Sequence, residues 1–345
     1  MCSSIRESNW GDKASMEHTE IRDDLFVPAT KEEREGVQTM REPTPYWRDV
    51  VRRFAKNKLA VVFFWFIIVI ALLAIFGPVL SPYKFDQQIP GSEYLRPFQN
   101  AAHPLGTDNF GRDEFVRLMF GARISLAIGV VASLMVIIIG VIYGAVSGFF
   151  GGWVDAIMMR IVEIISSIPS LLIIILLSVV IKAPLMAYLD KHPEMTFLRS
   201  IGGSLIAIFI TFALLYWVDM ARMVRGQVLS VKNEEYVSAA KALGAKPGRI
   251  IRRHLLPNSM GVIIVTAMLN IPTAIFTEAY LSFIGLGVMP PMCSLGSLAN
   301  DSLQGIYSYP YLLVLPSVLI SLIILAFYIV GDSLRNALDP RMKNR

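Results

Sequence analysis

Long apolar runs alternate with short charged blocks along this chain, and the runs are too long for a soluble core. The first, from about 59 to 80, is uncharged and closes on Gly77-Pro78. At about 1.5 Å per residue it crosses a hydrocarbon layer of about 30 Å. Further runs follow near 124–154, 162–181, 201–218 and 259–287, and a sixth lies within 302–331. The pattern predicts an all-α, polytopic membrane protein with six transmembrane helices. Gly140, Gly144, Gly148 and Gly152 recur every fourth residue of the second run, a groove for close helix approach. Ser166, Ser167, Pro169 and Ser170 fall inside the third. A proline within a span frees backbone groups that hydroxyls or water can satisfy. Ser166 and Pro169 are therefore candidates for a bend lining a pathway, with a packed kink as the equal alternative. Glu278 sits in the fifth run. An ionisable group at that depth is costly, and marks either a structural partnership or a pathway lining.

The charged blocks set the direction of the chain. Residues 1–45 are polar and read as a cytoplasmic tail. Residues 46–58, YWRDVVRRFAKNK, put Trp47, Val50, Val51 and Phe54 along one stripe, with Arg48, Arg52, Arg53, Lys56 and Lys58 around it. That is an amphipathic helix for the headgroup layer, and its cations hold the N-terminus inside. Residues 59–122 comprise the first span and an exported loop, and 123–345 a five-span core. Within the loop, Arg112, Arg117 and Arg123 run against a simple positive-inside count. Asp108 and Asp113 read there as turn residues rather than metal ligands. In 219–258, DMARMVRGQVLSVKNEEYVSAAKALGAKPGRIIRRHLLPN, eight Lys or Arg face three acids. The excess assigns this stretch, and with it both termini, to the cytoplasmic side. Tyr236, Ala239, Ala240 and Leu243 share a helical face. Gly244 supplies a stop, and Pro247 suits the first turn of a second short helix ending at Pro257. Two short helices joined at a glycine read as a docking element, with a basic, solvated juxtamembrane loop that merely orients the protein as the equal alternative.

Composition sharpens the class. The chain is 54% hydrophobic and 17% charged, as a membrane protein is. Its net charge of +5 follows the spans, which favours orientation in a bilayer over nucleic-acid binding. Cys2 and Cys293 stand too far apart in sequence to suggest a metal site or a disulfide framework. No Lys or Arg occurs between Glu278 and Arg335, so Cys293 is expected outside and open to an impermeant thiol reagent. The chain carries no GxxxxGK[ST], HExxH or GxSxG motif, and hence no catalytic or metal-ligating residues are assigned. Work is expected to enter from a partner.

The string EYVSAAKALGAKPGRIIRRHLLPN, with Ala239-Ala240, Gly244 and Leu256-Pro257, resembles the "EAA" loop of permease subunits in binding-protein-dependent ABC importers. It is closest to the form found in oligopeptide, dipeptide and nickel permeases. HPLGTDNFGRDEFVRLMFGARISL, TEAYLSFIGLGVMPP and GDSLRNALDPR resemble the same family. Ser238 stands where Glu is usual and His254 where Ile is common; Cys293 and Leu295 depart from the usual proline and tryptophan. The resemblance implies a type I ABC importer permease fold. Tyr236, Ser238, Ala239, Ala240, Gly244, Pro247, His254, Leu256 and Pro257 would form the contact with an ATPase subunit. It further implies no cofactor on this chain, with ATP and Mg held by the partners. Those partners are a second homologous permease, two cytoplasmic ATPases and an external substrate-binding protein. The setting would be the plasma or inner membrane of a bacterium or archaeon. Peptides are the implied cargo, and nickel or another small solute the alternative. From a different class, a proton-coupled secondary transporter would need mid-membrane carboxylates, of which Glu278 is the one of note.

Overall fold

The computed structural model describes residues 46–290 and 292–338; the tail expected at 1–45 lies outside them. Helix α1 (Tyr46–Lys56) and helix α2 (Lys58–Leu80) are separated at Asn57, whose side chain accepts from the Ala60 N–H at 3.3 Å. This cap lets a polar helix turn into an apolar one within a single residue. Val50 and Phe54 of α1 pack against Val265, Leu334, Ala337 and Leu338, while Trp47 and Val51 stay exposed.

Helix α3 (Glu114–Phe150) begins well before the expected start near Ile124. Asp113 caps it, accepting from the Val116 N–H at 2.9 Å. Helix α4 (Gly152–Ser166) then turns back, setting Met159, Val162 and Ile165 beside Ile139 and Tyr143 of α3. Helix α5 (Ser170–Lys191) is the third apolar span. Ser167 to Pro169 thus form a break between two helices, not a kink inside one, because Pro169 has extended ψ and starts α5. Helices α6 (Thr196–Ile201), α7 (Gly203–Leu215) and α8 (Trp217–Val231) follow. The first part of the expected loop at 219–258 is therefore helical and belongs to α8.

Helix α9 (Glu235–Ala242) precedes α10 (Pro247–Ile250), which passes through a π-turn (Ile251–Leu255) into α11 (Leu256–Phe283). Helix α12 (Leu295–Asp301) and a 3-10 turn (Ser302–Gly305) lead to α13 (Tyr311–Leu338). Among the described residues, six helical segments are long and apolar enough to cross a membrane: α2, α3, α5, α7 with α8, α10 through α11, and α13. Spans α2, α3, α11 and α13 share a core of Ile70, Ala74, Met119, Ala122, Ile271, Ile275, Ile323 and Phe327, while α5 and α7 pack through Ile174, Leu205, Ile208 and Phe212.

The glycine groove is real over three of its four positions. A methyl at Gly140 would lie 2.6 Å from Met220 Cβ, and one at Gly148 would lie 3.0 Å from Val228 Cβ. Gly144 meets the Ala221 backbone in the same way, so α3 and α8 touch along their backbones. Gly152 takes no part: it has φ +51° at the start of α4 and nothing near it.

Two prolines explain other contacts. Pro78 has no N–H to offer the Ala74 carbonyl one turn back. Arg123 supplies donors instead, Nε to Ala74 O at 2.8 Å and Nη2 to Ile75 O at 2.6 Å. Pro316 likewise leaves the Leu312 carbonyl free, and the Ser302 hydroxyl donates to it at 2.9 Å.

Candidate functional site

The site is built where α8 leaves the bundle. Arg225 of α8 grips Asp155 of α4 with both sides of its guanidinium, Nε to Oδ1 and Nη2 to Oδ2, each at 2.5 Å. Ser147 donates to the same carboxylate at 2.5 Å. Arg225, and after it Ser147, hold the Asp155 carboxyl below its usual range. Two turns on, Lys232 Nζ donates to the Gly148 carbonyl at 3.1 Å, completing the C-terminal cap of α3.

Helix α9 then lies across this support. Val237 is its buried residue, packed with Val228, Val231, Ile250 and Leu255. Ala240 is half-buried, at the edge between buried Val237 and the exposed Tyr236, Ala239 and Leu243, and Ala245 is half-buried against the same cluster as Val237. Ser238 is exposed, and Leu243 is 88% exposed at the apex. Gly244 has φ +77°, the left-handed value that glycine adopts without strain. Its N–H donates to Lys241 O at 2.9 Å, and the Ala245 N–H to Ala240 O at 3.0 Å. This pair of bonds is a Schellman cap. Pro247 follows at the first turn of α10, where its missing N–H costs nothing.

The second arm does not end at Pro257 as expected. In the π-turn the Leu256 N–H reaches back to Ile251 O, and the wider turn lets Pro257 sit at the start of α11 without breaking the helix. Leu256 is half-buried and Pro257 exposed. Asn258 Nδ2 donates to His254 O at 2.7 Å and to the Tyr236 hydroxyl at 2.9 Å, tying α9 to α11. The His254 and Tyr236 rings stand 6.3 Å apart. Tyr236, His254 and Asn258 therefore come together. Asn258 was missed because nothing in its sequence surroundings signals a bridge to residue 236.

The pathway candidates do not converge. Ser166 is exposed at the α4–α5 break, donates to Val162 O at 2.7 Å and accepts from Arg222 of α8. Pro169 is exposed beside it. Glu278 is fully buried, accepting from Ser125 at 3.0 Å and from Ser282 at 2.7 Å. Ser282 in turn lies 3.2 Å from Ser294, the cap of α12. The carboxylate thus holds α3, α11 and α12 together.

Near α12 the arginines that disturbed the charge count are paired. Asp108 accepts from Arg112 Nε at 2.6 Å and from Arg117, which also reaches Asp301 at 3.0 Å. Asp108 further accepts from the Phe110 and Arg112 N–H groups at 2.9 Å, and Asp113 bonds His103 at 2.7 Å. Both aspartates are turn and cap residues. Among the described residues, no group of three His, Cys, Asp or Glu is placed to hold a metal. Cys293 is 3% exposed, donates to Arg117 O at 3.8 Å, and burial pushes its thiol up to about 11. It is not the open label the sequence suggested.

Residues 136–344 match the family model of binding-protein-dependent transport system inner membrane components. The chain belongs to that family. Residues 45–97 match a second model, the N-terminal TM domain of oligopeptide transport permease C. The dipeptide transport system permease protein DppC of Bacillus subtilis is 43% identical, over 95% of this chain and 96% of its own. OppC, the oligopeptide transport system permease protein of the same organism, is 42% identical over 94% and 99%. Its counterpart in Escherichia coli is 38% identical over 86% and 91%. The MetNI methionine ABC transporter, solved in inward-facing conformations, aligns at 20% identity with a TM-score of 0.46, over 64% of this chain and 96% of that one.

This permease subunit is therefore a component of a membrane transport system. The first family model spans the end of α3 through α13 and includes all of α9, Gly244 and α10. The second takes in α1, α2 and the start of the loop after them. The α9–Gly244–α10 turn and helix α1 are thus matched by separate models.

Proposed function

We propose that this subunit forms half of the translocation pathway of an ATP-driven peptide importer, and that α9, Gly244 and α10 contact an ATP-hydrolysing partner. Leu243 carries the reading. An apolar side chain, 88% exposed, is held out beside Tyr236 and Ala239 on a helix whose other face is buried. Seating one leucine in a partner's groove contributes about 1.5–3 kcal/mol, and the rigid cap at Gly244 removes most of the ordering cost. The relatives' names, dipeptide and oligopeptide permeases, support peptides as cargo.

On this reading the α9 end of the bundle and both termini are cytoplasmic, and α12 is external. ATP and Mg belong to two partner ATPases, and a second homologous permease and an external binding protein complete the assembly. ATPase closure would move α9 and bias the spans between two access states; a bias of about 5.5 kcal/mol reverses a 1:99 population. Ser166 and Pro169, exposed at a helix break, are our candidates for lining the pathway. We assign Glu278 the structural role.

The test is Leu243→Asp beside Gly244→Val in the full assembly. Each should lower ATPase copurification and peptide uptake about tenfold while the second permease still copurifies. Undiminished ATPase association of Leu243→Asp would remove α9 as the contact. Uptake surviving ATP depletion would favour the proton-coupled class instead.

A further inference from the structure

We infer that a polar seam along α11 is this subunit's wall of the pathway, where the Asn270 amide hydrogen-bonds the backbone of the passing peptide. The inference rests on the peptide-importer reading above and names the side chains that meet the cargo. Thr266, Asn270, Thr273, Thr277 and Tyr280 follow one another at intervals of four, three, four and three residues. That spacing holds them on one helical face, over about 21 Å of a layer about 30 Å thick. Thr273 and Tyr280 are exposed, and Thr266 and Asn270 half-buried. Thr277 is buried and accepts from the Tyr216 hydroxyl at 2.6 Å. Asn270 Nδ2 finds no hydrogen-bond partner among the described residues. An unmet donor at that depth is costly, and an acceptor moving along the seam removes the cost.

Three occupants compete for an open face on a span, and the residues separate them. Lipid suits the faces that α2 and α5 leave open, where Val69, Leu72, Leu73, Leu172, Leu176 and Val179 are exposed without a hydroxyl or amide among them. A neighbouring helix suits small residues, as where Gly140, Gly144 and Gly148 let α8 touch α3. The α11 face instead exposes the rings of Phe276 and Tyr280, which hold another helix away. An extended peptide suits what remains. No Asp, Glu, Lys or Arg occurs between Arg253 and Glu278, and Glu278 is buried against Ser125 and Ser282. The seam therefore has no charge with which to select side chains. An asparagine amide offers two donors and an acceptor, which match the carbonyl and N–H that every peptide unit repeats.

The full transporter in proteoliposomes tests this with a small cationic methanethiosulfonate and three tripeptides: trialanine, trilysine and triglutamate. In a Cys2→Ser background, Thr273→Cys should be labelled, and saturating trialanine should slow that labelling about tenfold. Leu176→Cys, on the open face of α5, should stay at the level of the parent. Asn270→Leu should lower uptake of all three peptides by a similar factor, about tenfold. Asn270→Gln, which keeps the amide, should lose less. Copurification of the ATPase and the second permease checks that the variants assemble. In an importer that works, a Thr273→Cys as silent as Leu176→Cys overturns the inference and gives the seam to lipid or to a helix. So does labelling that trialanine leaves unchanged, and so does an Asn270→Leu loss confined to one charge class. If the unaltered protein takes up none of the three peptides, the cargo reading falls and the inference falls with it.

Discussion

Arg123 shows how one side chain repairs a defect written into the backbone elsewhere. The Ala74 carbonyl would be an unsatisfied acceptor in an apolar span, because Pro78 cannot donate to it. Removing the donor with Arg123→Met should cost about 1–3 kcal/mol. In a Pro78→Ala background, where a backbone N–H is restored, the same change should cost clearly less. A thermal-melt double-mutant cycle in detergent reads the difference; equal costs in the two backgrounds would show that Arg123 acts by packing. The pairing also means that a naive charge count carries little weight here. An arginine engaged with backbone carbonyls, or like Arg117 with two aspartates, says little about which side of a membrane it prefers.

Among the elements, α8 and its partners behave as one unit. Backbone contact along the glycine groove, the Asp155–Arg225 pair and the Lys232 cap all join α8 to α3 and α4. Because Arg225 depresses the Asp155 carboxyl, the pair's contribution is complete above about pH 4 and is lost as pH falls through the lowered value. Asp155→Asn should therefore destabilise by about 1–3 kcal/mol, equally at pH 5 and pH 8, with the gap closing only in stronger acid. Melting curves across that range decide it; a gap that widened between pH 5 and 8 would point to a different partner. The six apolar runs and the α9–glycine–α10 turn were legible in the sequence, since each is a local pattern of hydropathy or of one residue's backbone freedom. The start of α3 was not, because Arg117 and Arg123 look like loop residues until Asp301 and the Ala74 carbonyl are seen beside them. Nor was the continuity through Pro257, which depends on a π-turn that has no residue signature. Ser166 and Pro169 signalled a disturbance correctly but left open whether the helix bends there or stops.

Across the whole molecule, Cys293 is a native probe of integrity. Its thiol is enclosed where α12 meets α3, and burial pushes it up to about 11, so little thiolate is present at neutral pH. An impermeant maleimide should leave it unmodified in spheroplasts and label it once detergent and denaturant open the bundle. Prompt labelling of the native protein would mean that α12 separates from α3 in the resting state. The unbroken run from Pro247 to Phe283 has a different kind of consequence. A docking element on a flexible tether can face any way, whereas one carved from the first turns of a spanning rod inherits that rod's rotational phase. One residue gained or lost just before Met260 would turn α10 through about 100° relative to the rest of α11, against the Val237 packing that seats α9 on α8. Three or four residues would return it nearly to alignment. The π-turn is itself such an offset, a single extra residue held within the helix. It sets the azimuth at which a push on α10 would reach the far end of α11.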